Sequence, residues 1–172
     1  MLKPFKKEHI VLLVMFFMLD MRVVVAKEPI EIPVHPIPLE IHTKQGPVFY
    51  KVEIAFTPSQ AAAGLMYRTD FPRDRAMLFK QLKSSRSGDE QKIFMWMANT
   101  PLPLDMIFLD SEGIIVSIIE KTSPLSTNTI SSEVPAAFAL EINAGEVSKK
   151  KIQKGQRVIH PVLCGKCNKN DR

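Results

Sequence analysis

Apolar and polar residues alternate one by one along much of the chain from Leu39 onward, in short segments that turn residues separate. The alternation runs through Leu39–Thr43, stops at Lys44–Pro47 and resumes through Tyr50–Phe56. Period-two alternation on both sides of a Gly-Pro turn predicts a β-hairpin. Further strands are predicted at Ala76–Phe79, Phe94–Met97, Leu104–Asp110, Ile114–Ile119, Ala136–Ile142 and Arg157–Val162. So many short strands indicate a mainly β fold, a β-sandwich or barrel-like structure, with one or two short helices.

Two segments carry helix signals instead. Thr57 can cap the first amides of a helix, Pro58 suits the first helical position, and Gln60 completes a capping box. Gly64 predicts an early helix end or a close approach of the backbone to another element. The segment Val147–Lys154 is polar and is the second helical candidate.

The first 26 residues are typical of a secretory signal peptide rather than of a folded element. Three lysines precede an uninterrupted apolar run, Ile10–Leu19, and small residues end at Ala26, where a signal peptidase would cleave. This run is shorter than the roughly 20 residues that a membrane-spanning helix needs. We therefore expect cleavage after Ala26 and an exported protein, periplasmic or extracellular. An uncleaved membrane tether is the alternative.

The rest of the chain divides into an arm, a body and a tail. Residues 27–38 carry four prolines, which favour extended chain, so they are predicted to be a linker or an arm lying along the body. Residues 39–162 are predicted to form one β-rich domain, without cysteine and long enough to fold without disulfides. Residues 163–172 form a basic tail with a Cys-x-x-Cys motif, and we expect folding not to depend on it.

Positive charge is concentrated towards the C terminus. Residues 146–172 hold eight Lys or Arg against Glu146 and Asp171. Such a segment could make peripheral contact with an anionic membrane, and the alternative is that its charges are solvated. The sequence carries no recognisable nucleic-acid-binding motif, so nucleic acid is not an expected partner of this exported protein.

Polar side chains stand among apolar neighbours in the block Gly64–Asp110. The candidate ligand-binding residues there are Arg68, Trp96, Asn99, Thr100 and Asp105. Polar groups in apolar surroundings must be paired or serve a site, because burying one unpaired costs roughly 1–3 kcal/mol. One interpretation is a pocket for a small polar ligand, since pockets combine apolar walls with few polar groups. The alternative is an internal Arg68–Asp105 ion pair beneath a turn that Asn99 and Thr100 close.

The order of six short motifs resembles the family catalogued as domain of unknown function 192, DUF192. The motifs are VEIAFT at Val52–Thr57, GLMYR at Gly64–Arg68, AMLF at Ala76–Phe79, FMWMANT at Phe94–Thr100, PLDMIFLD at Pro103–Asp110 and ALEINAG at Ala139–Gly145. The resemblance covers essentially the whole body and implies a small β-rich fold, often exported, with a helix near GLM. It implies no chemistry. Ala61–Ala63 and Ala98 stand where the family usually has an Arg and a Lys.

The sequence offers three further site chemistries. The methionines of the mature chain either bind monovalent copper or fill the core; they are Met66, Met77, Met95, Met97 and Met106. In the tail, His160, Cys164 and Cys167 could bind zinc, the two cysteines could be a redox pair, and a local disulfide or an unstructured tail is the alternative. Glu53 and Asp105 could form a hydrolytic carboxylate pair. No cofactor is expected.

These residues lead us to expect a small exported β protein that binds a small polar ligand or another envelope component, without catalysis. The rival hypothesis is a small hydrolytic enzyme that uses Asp105 and Arg68. A third hypothesis is a metal or redox accessory protein that works through His160, Cys164 and Cys167.

Overall fold

The computed structural model describes residues 27–80 and 91–163, and within these ranges it contains nine strands and two short helices. The strands are β1 Leu39–Thr43, β2 Gly46–Ala55, β3 Arg75–Lys80, β4 Lys92–Met95, β5 Leu104–Leu109, β6 Ile115–Ile119, β7 Ile130–Pro135, β8 Phe138–Asn143 and β9 Val158–Ile159. The helices are α1 Pro58–Ala63 and α2 Glu146–Lys150.

Seven strands form one curled sheet, in the order β6-β5-β8-β3-β2-β1-β9, while β4 and β7 form a separate antiparallel pair. Strands β2 and β3 run parallel, because α1 and the chain after it cross over between them; the other neighbours are antiparallel. The two edges of the curled sheet meet at a bridge between Ile114 and Arg157. The predicted mainly β fold with one or two short helices is confirmed, as a half-barrel with a second small sheet.

The two faces of the large sheet bury two apolar cores. We call them the inner core, to which nearly all strands of the large sheet contribute, and the outer core, on the opposite face. Because side chains alternate along a strand, β5 gives Ile107 and Leu109 to the inner core and Met106 and Phe108 to the outer core. All six residues of β5 are buried. The outer face is covered by residues outside the large sheet, including Ile32, Leu65, Phe71, Ile93 and Met97.

The proline-rich segment lies against the body as an arm. Ile32 is buried in the outer core. Val34 forms an antiparallel bridge with Glu53, and the His35 amide donates to the Val52 carbonyl at 2.7 Å. The arm therefore pairs with the second half of β2, beyond Tyr50, which is the partner of the first residue of β1.

Most of the predicted elements appear where the alternation and capping signals place them. The first hairpin is β1–β2, and Thr57 and Gln60 form the expected capping box at α1. The second hairpin is β5–β6. Strand β7 is not among the predicted strands, because its residues fall partly in a Ser/Thr-rich part of the sequence.

The last described residue belongs to the fold. Leu163 is 5% exposed, packs in the inner core, and donates its amide to the His160 carbonyl at 2.9 Å. Leu163, assigned to the tail from the sequence, therefore packs with the body.

Two sequence predictions lie outside the described residues. They concern the signal peptide at residues 1–26 and the cysteines Cys164 and Cys167. Neither helix within residues 27–80 and 91–163 has the length and apolar character needed to cross a membrane.

Candidate functional site

A cleft of about 470 Å³ opens on the outer face of the sheet, between α1 and β4. Its walls are mainly apolar, since they come from the alanines of α1, the aromatic ring of Phe79 and the side chains of β4. The lining residues are Ala61–Met66, Phe79, Lys80, Ile93–Trp96, Thr100, Thr129, Ala139 and Glu141. This combination of apolar walls and few polar groups is characteristic of small-molecule sites.

Helix α1 can form one wall because small residues let it lie close to the sheet. Gly64 ends the helix with φ of 48° and ψ of −129°, a conformation that residues with a Cβ rarely adopt. A Cβ at this position would also lie 3.3 Å from the Phe79 ring. Alanines occupy positions 61–63, so α1 contributes no charge to the cleft.

Among residues 27–80 and 91–163, Glu141 is the one carboxyl group in the cleft lining, and it is not among the site residues predicted from the sequence. It lies on β8, directly between Met77 of β3 and Met106 of β5 in the register of the sheet. Both methionines belong to the outer core, so the carboxyl group projects from the same face. Glu141 as a whole is only 4% exposed.

The electrostatic environment of Glu141 is unusual for a carboxyl group. Across residues 27–80 and 91–163, no hydrogen bond or ion pair involves its side chain. Burial raises the pKa of Glu141 to about 8, because a charged carboxylate there would lose its hydration without gaining a partner. A buried, unpaired, titratable group at the bottom of a cleft is a marker of functional sites.

Two of the five predicted ligand-binding residues line this cleft. Trp96 is 57% exposed and follows β4 at the cleft lining, and Thr100 is buried there. Asn99 is next to the lining rather than in it. It has a positive φ of 57°, its carbonyl accepts from the Tyr67 amide at 2.7 Å, and its amide group lies 3.9 Å from the sulfur of Met66.

Arg68 is engaged elsewhere, by a carboxylate on β2. Its Nη2 lies 2.7 Å from Glu53 Oε2, and its Nη1 donates to Glu53 Oε1 at 3.0 Å. Arg75 also donates to Glu53 Oε1, at 2.8 Å, and Arg68 donates to the Ile30 carbonyl at 3.0 Å. Glu53 is 1% exposed. Because Arg68 contacts both Glu53 and the Ile30 carbonyl, the cluster holds the arm and the chain after α1 against β2.

Asp105 lies on the opposite face of the sheet from Arg68. It shares its face of β5 with Ile107 and Leu109 of the inner core, whereas Glu53 shares its face of β2 with Ala55 of the outer core. The Asp105 carboxylate accepts from the backbone amides of Lys121 at 2.8 Å and Val147 at 3.0 Å. The expected Arg68–Asp105 ion pair is therefore wrong, and the same separation argues against Glu53 and Asp105 as a hydrolytic pair.

His160, the third member of the tail hypothesis, is buried beside the arm. Its Nε2 lies 3.2 Å from His35 Nδ1 and 3.1 Å from the Ile37 carbonyl, while its Nδ1 accepts from the Val162 amide at 3.2 Å. Burial lowers the pKa of His160. No group of three or more His, Cys, Asp or Glu that could hold a metal occurs in the ranges 27–80 and 91–163, which exclude both cysteines.

The methionines divide between the core and the cleft. Met77, Met97 and Met106 are fully buried in the outer core, which agrees with their interpretation as core-filling residues. Met66 and Met95 line the cleft and are partly exposed.

Comparison with known proteins identifies the family of the chain and solved structures with a similar fold. A family model for DUF192, described as an uncharacterized ACR, matches residues 40–160. A solved structure from Sinorhizobium meliloti 1021, described as a candidate transcription regulator, is 38% identical; the match covers 75% of this chain and 96% of that one, with a TM-score of 0.66. A protein of unknown function from Novosphingobium aromaticivorans DSM 12444 is 26% identical, over 76% and 94% of the two chains, also with a TM-score of 0.66. No curated protein matches the chain.

Proposed function

The chain belongs to the DUF192 family, and we propose that it is an exported, non-catalytic protein that binds a small molecule in the cleft between α1 and β4. The observation that carries this proposal is the cleft itself, about 470 Å³ with mainly apolar walls. A ligand with an apolar body would bury its surface against these walls, and this burial would supply most of the affinity. Export rests on the positive start, the apolar run and the Ala26 cleavage site in the sequence.

Two exposed aromatic side chains in the cleft support binding over a purely structural role. Phe94 and Trp96 are large side chains at 65% and 57% exposure, and both line the cleft. Exposed aromatic groups at one place on a surface are typical of interaction sites. The hydrolytic alternative has no comparable support, because Arg68 and Asp105 face opposite sides of the sheet and are already paired.

The test uses an uncharged fluorescent probe and a variant that fills the cleft. N-phenyl-1-naphthylamine should bind the mature protein with a rise in its fluorescence. Ala62→Phe should reduce this binding at least tenfold, because Ala62 lies in the cleft wall and its exposed position can accept a larger side chain. Ser59→Phe is the matched control, since Ser59 is exposed on the same helix and lies outside the lining. Equal binding by all three proteins would contradict the proposed site.

A further inference from the structure

We propose that the cleft selects ligands that carry an ammonium group on an apolar body, and that the carboxylate of Glu141 receives this group. The inference rests on the proposed function, and it adds the chemical class of the ligand. It starts from the position of Glu141 in the lining, with no partner in the described ranges and with only 4% of its surface exposed.

No cation in the described part of the chain pairs with Glu141. Its neighbours across the sheet, Met77 and Met106, are apolar. The charged groups on the elements around the cleft are Lys80 at the end of β3, Lys92 on β4, Glu133 on β7, and Glu53 with its two arginines on the far side of Met77. None of them is a cause of the raised pKa of Glu141, which comes from burial alone. A ligand cation could therefore give this carboxylate an ion pair that no residue in 27–80 or 91–163 supplies.

A cation suits this position better than a neutral donor. An ionised carboxylate only accepts hydrogen bonds, and an ammonium offers three donors together with the charge. Charge-assisted hydrogen bonds are about twice as strong as neutral ones. The cleft also presents the rings of Phe79, Phe94 and Trp96, and aromatic faces attract cations. Lys80 also lines the cleft, but it is exposed at the end of β3, where its charge is solvated.

Binding of an ammonium ion is coupled to the release of a proton. In the free protein at neutral pH the carboxyl group is mostly protonated, because burial raises the pKa of Glu141 to about 8. When a protonated amine binds, Glu141 gives its proton to the solvent and the complex contains a carboxylate paired with an ammonium. The affinity should therefore rise roughly tenfold per pH unit below pH 7 and level off above pH 8.

The experiment compares three probes with the same apolar body: 2-phenylethylamine, 2-phenylethanol and 3-phenylpropionate. Binding is followed by the fluorescence of Trp96, which is the single tryptophan of the chain, and by calorimetry between pH 6 and pH 9. The mature protein should bind the amine at least tenfold more tightly than the alcohol at pH 8.5, with the carboxylate weakest. Glu141→Gln should lose both this preference and the pH dependence of amine binding.

The outcomes separate this inference from the proposed function. Wild-type protein that binds the naphthyl probe in the cleft, yet binds amine and alcohol equally, would overturn the ammonium inference and leave the cleft as a binding site. The same conclusion follows if Glu141→Gln keeps the amine preference. The wild-type comparison of amine with alcohol does not require any variant to fold. If the wild-type protein does not bind the naphthyl probe, or if Ala62→Phe binds it as tightly as the wild type, the proposed function itself is contradicted.

Discussion

The guanidinium of Arg68 lies 2.7 Å from the carboxylate of Glu53, and the two side chains are 11% and 1% exposed. Arg75 contacts the same carboxylate at 2.8 Å from a side chain that is 25% exposed. One buried carboxylate thus holds two cations. Because Arg68 also donates to the Ile30 carbonyl, this cluster connects the arm, the chain after α1 and the centre of the sheet.

This arrangement predicts strong energetic coupling between Glu53 and Arg68. Glu53→Ala should lower the free energy of unfolding by about 3–5 kcal/mol, because it leaves two largely buried arginines without their partner. The double variant Glu53→Ala/Arg68→Ala should lose at least about 1 kcal/mol less than the sum of the two single losses. Denaturant unfolding of the four proteins measures the coupling.

Asp105 provides the matched control for this cycle. Asp105→Ala should also destabilise, since it removes the acceptor of the Lys121 and Val147 amides. The decrease in the free energy of unfolding caused by Asp105→Ala should add to that caused by Arg68→Ala within about 0.5 kcal/mol, because the two residues share no partner. Strong coupling between Arg68 and Asp105, or additivity between Arg68 and Glu53, would contradict the structure described above.

Local signals in the sequence were sufficient for most of the fold. Alternation around Gly46 and the Thr57–Gln60 capping box predicted β1, β2 and α1, because their causes lie within a few residues. Strand β7 depends instead on pairing with β4, some 40 residues away, as in Phe94 with Ser131. Its own residues include two serines and a glutamate, so they carry too little apolar alternation to indicate a strand.

The candidate site was harder to predict because it depends on which faces of the sheet are covered. Arg68 and Asp105 are both surrounded by apolar residues in the sequence, but alternation alone does not show that their side chains lie on opposite faces of the large sheet. Glu141 was part of a motif and was not selected, since an acid between Leu140 and Ile142 resembles a solvent-facing strand residue. The fully apolar β5, apart from Asp105, was a signal that both faces are buried. An acid on the adjacent strand β8 then had to be either buried or in a cleft.

Glu141 should make the stability of the protein fall as the pH rises. Burial raises the pKa of Glu141 from its ordinary value of 4.5 to about 8 in the folded protein. Between these values the folded state holds the proton and the unfolded state does not, so the favourable contribution is complete below about pH 4.5 and lost as the pH passes 8. The slope from this group is roughly 1.4 kcal/mol per pH unit. Glu141→Gln should remove that slope and be more stable than wild type at pH 8, as denaturant unfolding at pH 5, 6.5 and 8 can show. Parallel stability profiles for the two proteins would mean that Glu141 is hydrated or paired.

Leu163 should mark the end of the part of the chain that folding requires. A protein that ends at Leu163 should unfold close to the mature full-length protein, because residues 164–172 carry no apolar periodicity. Ending the chain at Val162 instead should cost about 2 kcal/mol or more, since it removes a side chain from the inner core. The two truncations differ by one residue, so equal melting temperatures would exclude a role for Leu163 in the core.

Export should remove the first 26 residues. Mass spectrometry of the exported protein should find Lys27 at its N terminus, because the cleavage signal ends at Ala26. A Leu13→Arg variant, which places a charge in the apolar run, should remain uncleaved in the cell. An exported pool that retains Met1 would favour the membrane tether.

The central claim, that the cleft between α1 and β4 is a ligand site, is tested most directly by mapping where a ligand binds. Two-dimensional ¹H–¹⁵N spectra of the mature protein can be recorded during titration with 2-phenylethylamine at pH 8. The amides of Gly64, Thr129 and Glu141 and the indole of Trp96, all in the cleft lining, should shift together with one dissociation constant. Gly46 at the start of β2 and Gly155 in a turn both lie outside the lining, and their amides should not shift. Shifts that cluster elsewhere on the protein, while the resonances of the cleft stay in place, would contradict the claim.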